Sequence, residues 1–116
     1  MRYAVFFTLL LTAVAYAHDT EQWIADKELH DPVTKYFCCG PLDCSALEDG
    51  AVKEVEGGFQ VHVKSNARMG DVVDEMIPYQ RAMPFSPDGH YHACISWDNE
   101  TGKPNIRCFI IPPGLG

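Results

Sequence analysis

Residues 51–64 read AVKEVEGGFQVHVK, and the fold class turns on this stretch. Phe59, Val61 and Val63 alternate with Gln60, His62 and Lys64, the period of two that sends one row of a strand into a core and the other into solvent. Between AVKEVE and FQVHVK stand Gly57 and Gly58, residues suited to the positive φ angles of a tight turn. The stretch predicts a two-residue β-hairpin with Phe59, Val61 and Val63 buried.

Toward the carboxyl end, Asn66 to Gly70 reads as a polar turn, and VVDEMIPY as an apolar strand or short irregular segment ended by Pro78. Ser86-Pro87-Asp88-Gly89 has proline and glycine where a type I turn favours them. HYHACISW, the polar stretch DNETGKP and NIRCFII then predict a second hairpin, and Pro112-Pro113-Gly114 ends the sheet. Toward the amino end, Trp23, Ile24 and Leu29 fall near helical spacing within Thr20 to Leu29. Asp19 or Thr20 is available as an N-cap, and His30-Asp31-Pro32 is a stop. Trp23 is expected to pack this helix onto the domain. YFCCGPLDC, dense in turn formers, is a loop pinned by its cysteines. The expected fold is mainly β: a small antiparallel sheet or open barrel of about four or five strands, with one short amino-terminal helix and a disulfide-pinned loop.

The first residues, MRYAVFFTLLLTAVAYA, set one cation at Arg2 before an apolar run from Tyr3 to Leu11 and end in Ala15-Tyr16-Ala17. That order is the signature of a secretory signal, with cleavage expected between Ala17 and His18. The apolar run is shorter than the roughly 20 residues of a membrane-spanning helix, so no stable membrane insertion is expected once the signal is removed. The chain therefore divides into a signal peptide, residues 1–17, and a single disulfide-stabilised domain, residues 18–116. Losing Arg2 leaves eight Lys and Arg against sixteen Asp and Glu, a net charge of −8. Such a surface argues against nucleic acid and anionic lipid as partners, since both need basic patches.

All five cysteines, Cys38, Cys39, Cys44, Cys94 and Cys108, lie beyond the signal, where an oxidising compartment lets disulfides persist. An odd number leaves at least one outside intrachain pairing. Cys94 and Cys108 flank a turn centred near Thr101, which places them opposite each other in the second hairpin. A bond between them closes a loop of roughly 15 residues, worth about 3 kcal/mol, and a local Cys39–Cys44 bond accompanies it. The rival arrangement joins Cys94 or Cys108 to Cys38 or Cys39 and clips the loop to the sheet.

Other chemistry is weaker. His30, Cys38, Cys39, Asp43 and Cys44 are ligand types, but no second C-x-x-C or H-x3-5-H pair follows. A cysteine nucleophile has only generic imidazole partners in His30, His62, His90 and His92. His90 and His92 flank Tyr91 and, on a strand, share one face; with His18 at a new terminus they form a candidate copper or zinc set. Asn99-Glu100-Thr101 matches the N-glycosylation pattern.

Trp23, the CC-x3-DC loop of Cys38, Cys39, Asp43 and Cys44, the turn Ser86-Pro87-Asp88-Gly89 before Cys94, and the closing Arg107-Cys108-Phe109 with its prolines occur together over most of the mature chain. In this the chain resembles a group of small exported proteins of alphaproteobacteria. The resemblance implies a Gram-negative periplasmic or secreted location and the same architecture, and it carries no activity or site. The expected function is a non-enzymatic periplasmic binding or structural module, without a cofactor, that presents an acidic surface to an envelope protein or small ligand. The alternatives are a metal-binding protein using His18, His90 and His92, and a small thiol-dependent enzyme.

Overall fold

The computed structural model describes residues 22–38, 44–64 and 72–114. The signal segment with Ala17 and His18, the cap residues Asp19 and Thr20, Cys39, Asp43 and the Asn66 to Gly70 turn lie outside the described residues. The order is α1 (Gln22–Asp26), β1 (Cys44–Ala46), β2 (Val52–Val55), β3 (Gly58–Lys64), β4 (Val72–Pro78), a 3-10 turn (Tyr79–Arg81), β5 (Ala82–Met83), β6 (His92–Asp98) and β7 (Lys103–Ile110). Among the described residues the fold is mainly β with one short helix, its strands divided between a three-stranded sheet β2-β3-β4 and a four-stranded sheet β1-β6-β7-β5.

Alternation dictates the first sheet. Phe59 and Val61 are fully buried and Val63 partly so, while His62 and Lys64 face solvent. The turn falls one residue earlier than the glycine pair suggests, because Val55 already pairs with Gly58 and the two turn residues are Glu56 and Gly57. Gly57 takes the positive φ of +89°. Gly58 is needed for a different reason: a Cβ there would stand 2.1 Å from the Ile77 carbonyl oxygen on β4. β4 runs antiparallel to β3 and buries Val73 and Ile77 on its inner row.

In the second sheet β6 and β7 form the predicted hairpin, and the Asp98 side chain closes its turn by accepting the Glu100 N–H at 2.8 Å. Pairs from Asp98 and Lys103 to Ile95 and Ile106 run one residue short of the expected register. A bulge that leaves Arg107 unpaired restores it, so Cys94 and Cys108 do stand opposite each other. β5 adds to β7 in parallel, with Ala82 opposite Phe109 and Met83 opposite Ile110.

The disulfides nevertheless differ from the expected pairs. Cys38 is bonded to Cys108 and Cys44 to Cys94. Neither Cys94–Cys108 nor Cys39–Cys44 forms. The reason is that Cys94 lies on a strand with two neighbours. β1 pairs along its other edge and sets Cys44 directly opposite Cys94, so Cys108 is left for the loop cysteine Cys38. The rival idea of a loop clipped to the sheet describes the result.

The sheets pack face to face around Leu47, Phe59, Val61, Val73, Ile77, Ala93, Ile95, Ile106, Phe109 and Ile111. A second cluster, Ile24, Cys38, Cys44, Met83, Cys94, Cys108 and Ile110, lies on the outer face of the four-stranded sheet, under α1. Trp23 packs against this cluster, as expected, although its indole N–H is buried without a hydrogen-bond partner.

Candidate functional site

Glu75 lies on β4 between Val73 and Ile77, on the inner row where the period of two calls for an apolar residue. It is tolerated because it caps a strand edge. β5 covers only Phe109 and Ile110 of β7, so the edge at Ile106 needs other partners. Glu75 Oε1 accepts the Ile106 N–H at 3.0 Å, and Arg81 Nη2 donates to the carbonyls of Ile106 and Arg107 at 2.9 and 3.1 Å. An N–H and a C=O of one strand residue point to the same edge, and the two side chains satisfy both in place of a neighbouring strand.

The same arginine reaches into the amino-terminal loop. Its Nε donates to Asp31 Oδ2 at 2.7 Å, while the N–H groups of Val33 and Thr34 donate to Asp31 Oδ1 at 2.8 Å each. Asp31 is fully buried. Burial pushes its carboxyl up, but the Thr34 N–H, the Arg81 guanidinium and the Val33 N–H together outweigh burial and hold it below the ordinary value. Arg81 Nη1 also stands 3.6 Å from Glu75 Oε2. One connected network thus fixes the loop after α1, the end of β4 and the β7 bulge.

These braced parts surround an open cleft of ≈ 520 Å³ walled by the loop (Thr34, Tyr36), by the network (Glu75, Arg81) and by the β6–β7 hairpin (Ser96, Trp97, Asp98, Asn105, Arg107). The bulge turns Arg107 out so that its Nε donates to the Phe37 carbonyl at 2.6 Å and its guanidinium lies 5.1 Å from the centre of the Tyr36 ring. Tyr36, Phe37 and Trp97 are exposed, Tyr36 the most.

The histidines are arranged differently from the expected metal set. β6 begins at His92, so His90 belongs to the preceding turn and is exposed, and the two rings do not share a strand face. His92 is fully buried, donates from Nε2 to Asp88 Oδ1 at 2.9 Å, and lies edge to face with Trp23 at 5.3 Å. Burial raises the Asp88 carboxyl, but hydrogen bonds from His92, the His90 N–H and Ser86 overcome this and bring it down to about 2. The Ser86-Pro87-Asp88-Gly89 turn is therefore a polar anchor for the start of β6. Among the described residues no group of three or more His, Cys, Asp and Glu side chains is placed to hold a metal ion. Four of the five cysteines are engaged in disulfides, which leaves Cys39 over.

In the sequence Asp31 reads only as part of a helix stop, and Glu75 and Arg81 belong to no motif. The available signal was Glu75, a carboxylate at an inward position between two core residues. Comparison of the chain with protein families, with curated proteins and with solved structures finds no match.

Proposed function

We propose that the protein is exported and acts in the periplasm or outside the cell as a non-enzymatic binding module whose ligand occupies the cleft beside the β7 bulge. The location is supported by Ala15-Tyr16-Ala17 behind its apolar run, by the likeness to small exported alphaproteobacterial proteins, and by two disulfides joining distant segments. Among the described residues no helix is long and apolar enough to cross a membrane.

The observation that carries the binding reading is the Asp31–Arg81–Glu75 network at the cleft wall. Burying charges costs several kcal/mol per ion before pairing repays it, and apolar residues of similar size often hold a fold as well. What the network adds is fixed positions for a loop and a bulge on two sides of one cleft, the preorganisation a binding site needs. Its charges are committed to one another, which suits holding a ligand better than moving protons.

Amino-terminal sequencing of protein recovered from cell fractions tests the location: His18 as first residue in periplasm or medium is expected, and an intact Met1 in the cytoplasm overturns it. A screen of small solutes by 15N NMR tests the site. Shifts are expected to cluster on Tyr36, Ser96, Trp97, Asn105 and Arg107; clustering on another face, or no response, overturns the reading.

A further inference from the structure

Four bonded cysteines lie side by side on the outer face of the four-stranded sheet. Cys94 on β6 has Cys44 of β1 directly opposite along one edge and Cys108 of β7 directly opposite along the other. Opposed residues of antiparallel strands share a face, with Cα atoms about 4.5–5.5 Å apart, a separation that a disulfide spans. Cys94 therefore has two partners within bonding reach, and Cys44 holds it. Cys108 is bonded to Cys38 of the loop. Cys38 in turn lies beside Cys44, whose Sγ is 3.5 Å from the Cys38 carbonyl oxygen. All four belong to one buried cluster.

The same four sulfurs have a second complete pairing, Cys94–Cys108 within the hairpin and Cys38–Cys44 within the amino-terminal segment. The two pairings differ in what they tie. The observed bonds join residues 70 and 50 positions apart and fasten the loop and β1 to β7 and β6. In the other pairing each bond stays within its own segment, and no covalent bond joins the loop to the sheet.

We infer that the outer face is a disulfide-exchange switch, in which a thiol from solution converts the clipped pairing into the unclipped one and is returned unchanged. The exchange starts at Cys44, which keeps 5% exposure while Cys38, Cys94 and Cys108 have none. The incoming thiolate bonds to Cys44 Sγ, the Cys44–Cys94 bond breaks, and its electron pair leaves on Cys94. The Cys94 thiolate then attacks Cys108 Sγ and releases Cys38 as a thiolate. Cys38 attacks Cys44 Sγ and expels the external thiolate. Two disulfides are present before and after, so no oxidant or reductant is consumed. Packing sets the balance. Ile24 and the Asp31–Arg81 pair hold the segment down and favour the clipped pairing, whereas the conformational freedom of a released segment favours the other. Release withdraws Thr34 and Tyr36 from the cleft wall, so the pairing decides whether the cleft is formed. The switch stands whether or not the cleft takes a ligand.

The test incubates the mature, disulfide-bonded protein in a glutathione buffer holding both reduced and oxidised forms, quenches it with acid, and maps the linked peptides after digestion without reduction. A peptide pair joined through Cys94–Cys108 is expected to appear and reach a plateau, with the number of free thiols per chain unchanged. Its formation should free the Lys35 amide to exchange while the β3 amides stay protected. Arg81→Met removes support from the clipped pairing alone and should raise the unclipped share about tenfold. Cys39→Ser should form the same Cys94–Cys108 pair, since the route uses only the four bonded cysteines. Persistence of Cys38–Cys108 and Cys44–Cys94 alone, in both wild type and Arg81→Met, overturns the switch. So does a rise in free thiols without the Cys94–Cys108 peptide, or formation of that peptide only when the β3 amides lose protection, because exchange then runs through reduction or global unfolding. A Cys39→Ser protein that keeps its original pairs overturns the route through Cys44.

Discussion

The inner face of the sheet β1-β6-β7-β5 packs Ala93, Ile95, Ile106 and Phe109 against Phe59, Val61 and Ile77 of the other sheet, whereas its outer face carries Cys44, Cys94, Cys108 and Ile110 beneath a helix of five residues. The inner face is held by apolar area and ring contacts, such as Phe59 against Phe109 at 5.4 Å. On the outer face α1 supplies one buried residue, Ile24, worth about 1.5–3 kcal/mol. Fixing each residue of the amino-terminal segment costs about 1–2 kcal/mol in backbone entropy. The covalent bonds Cys38–Cys108 and Cys44–Cys94 and the buried Asp31–Arg81 pair take the place of the core that this segment lacks. A small domain can thus order a short segment with little apolar area of its own, provided cross-links do much of the holding.

The largest expected effect breaks the inner face. Val61→Asp buries a charge without a partner between the sheets, and the domain should unfold, with cooperative melting lost in circular dichroism. Ile24→Asp is the matching change on the outer face. It should release α1 alone, leaving the amides of β3 and β7 protected from hydrogen exchange. Global unfolding of Ile24→Asp would show that the two faces are not held differently.

Next come the cross-links. Cys38 and Cys108 are separated by 70 residues and Cys44 and Cys94 by 50. Loop-closure entropy makes each bond worth about 4 kcal/mol, and less than additive because the loops overlap. Replacing either pair by alanine should lower the urea midpoint accordingly, and denatured but unreduced wild-type protein should offer one alkylatable thiol per chain, that of Cys39. Three alkylatable thiols would mean that one of the two bonds does not form.

These pairings show where sequence reading stops. The β3 alternation and the hairpin opposition of Cys94 and Cys108 are local relations of side-chain period and turn position, and both hold in the structure. That β1 lies along the other edge of β6 depends on three residues, Cys44–Ala46, too few to carry a pattern. Asp31 and Arg81 are 50 residues apart, and no periodicity links them. The candidate site was hidden for the same reason, since its parts come from the loop, from β4 and from a bulge that exists only once β7 is paired.

A smaller effect sharpens the outer-face account. Arg81→Met leaves Asp31 buried and unpaired, a loss of about 3–5 kcal/mol if the loop stays closed. The loop can instead open and hydrate the carboxylate, which caps the cost at the energy of local opening. The expected outcome is rapid hydrogen exchange at Val33, Thr34, Lys35 and Cys38, with β3 amides unchanged. Uniform loss of protection throughout the molecule would assign the network to the global fold rather than to the loop and bulge around the cleft.

The smallest effect lies at the start of β6, where the outer face is again anchored by polar contacts. The Asp88 carboxyl sits at about 2 against 3.8 for an ordinary aspartate. A carboxyl lowered by folding stabilises the protein at pH values above its unfolded pKa, and that contribution is lost as the pH falls from about 4 toward 2. Asp88 is 43% exposed at its side chain, so screening reduces the contribution to about 1 kcal/mol. Asp31 is lowered as well and adds to the same acid limb, so the wild-type slope alone does not isolate Asp88. Asp88→Asn keeps the shape of the side chain and removes its titration. Its melting temperature should fall less steeply between pH 4 and pH 2 than that of the wild type, while the limb due to Asp31 remains. Parallel acid limbs in the two proteins would mean that the His92, Ser86 and His90 contacts to Asp88 do not favour its charged form, and that the turn is held by backbone geometry instead.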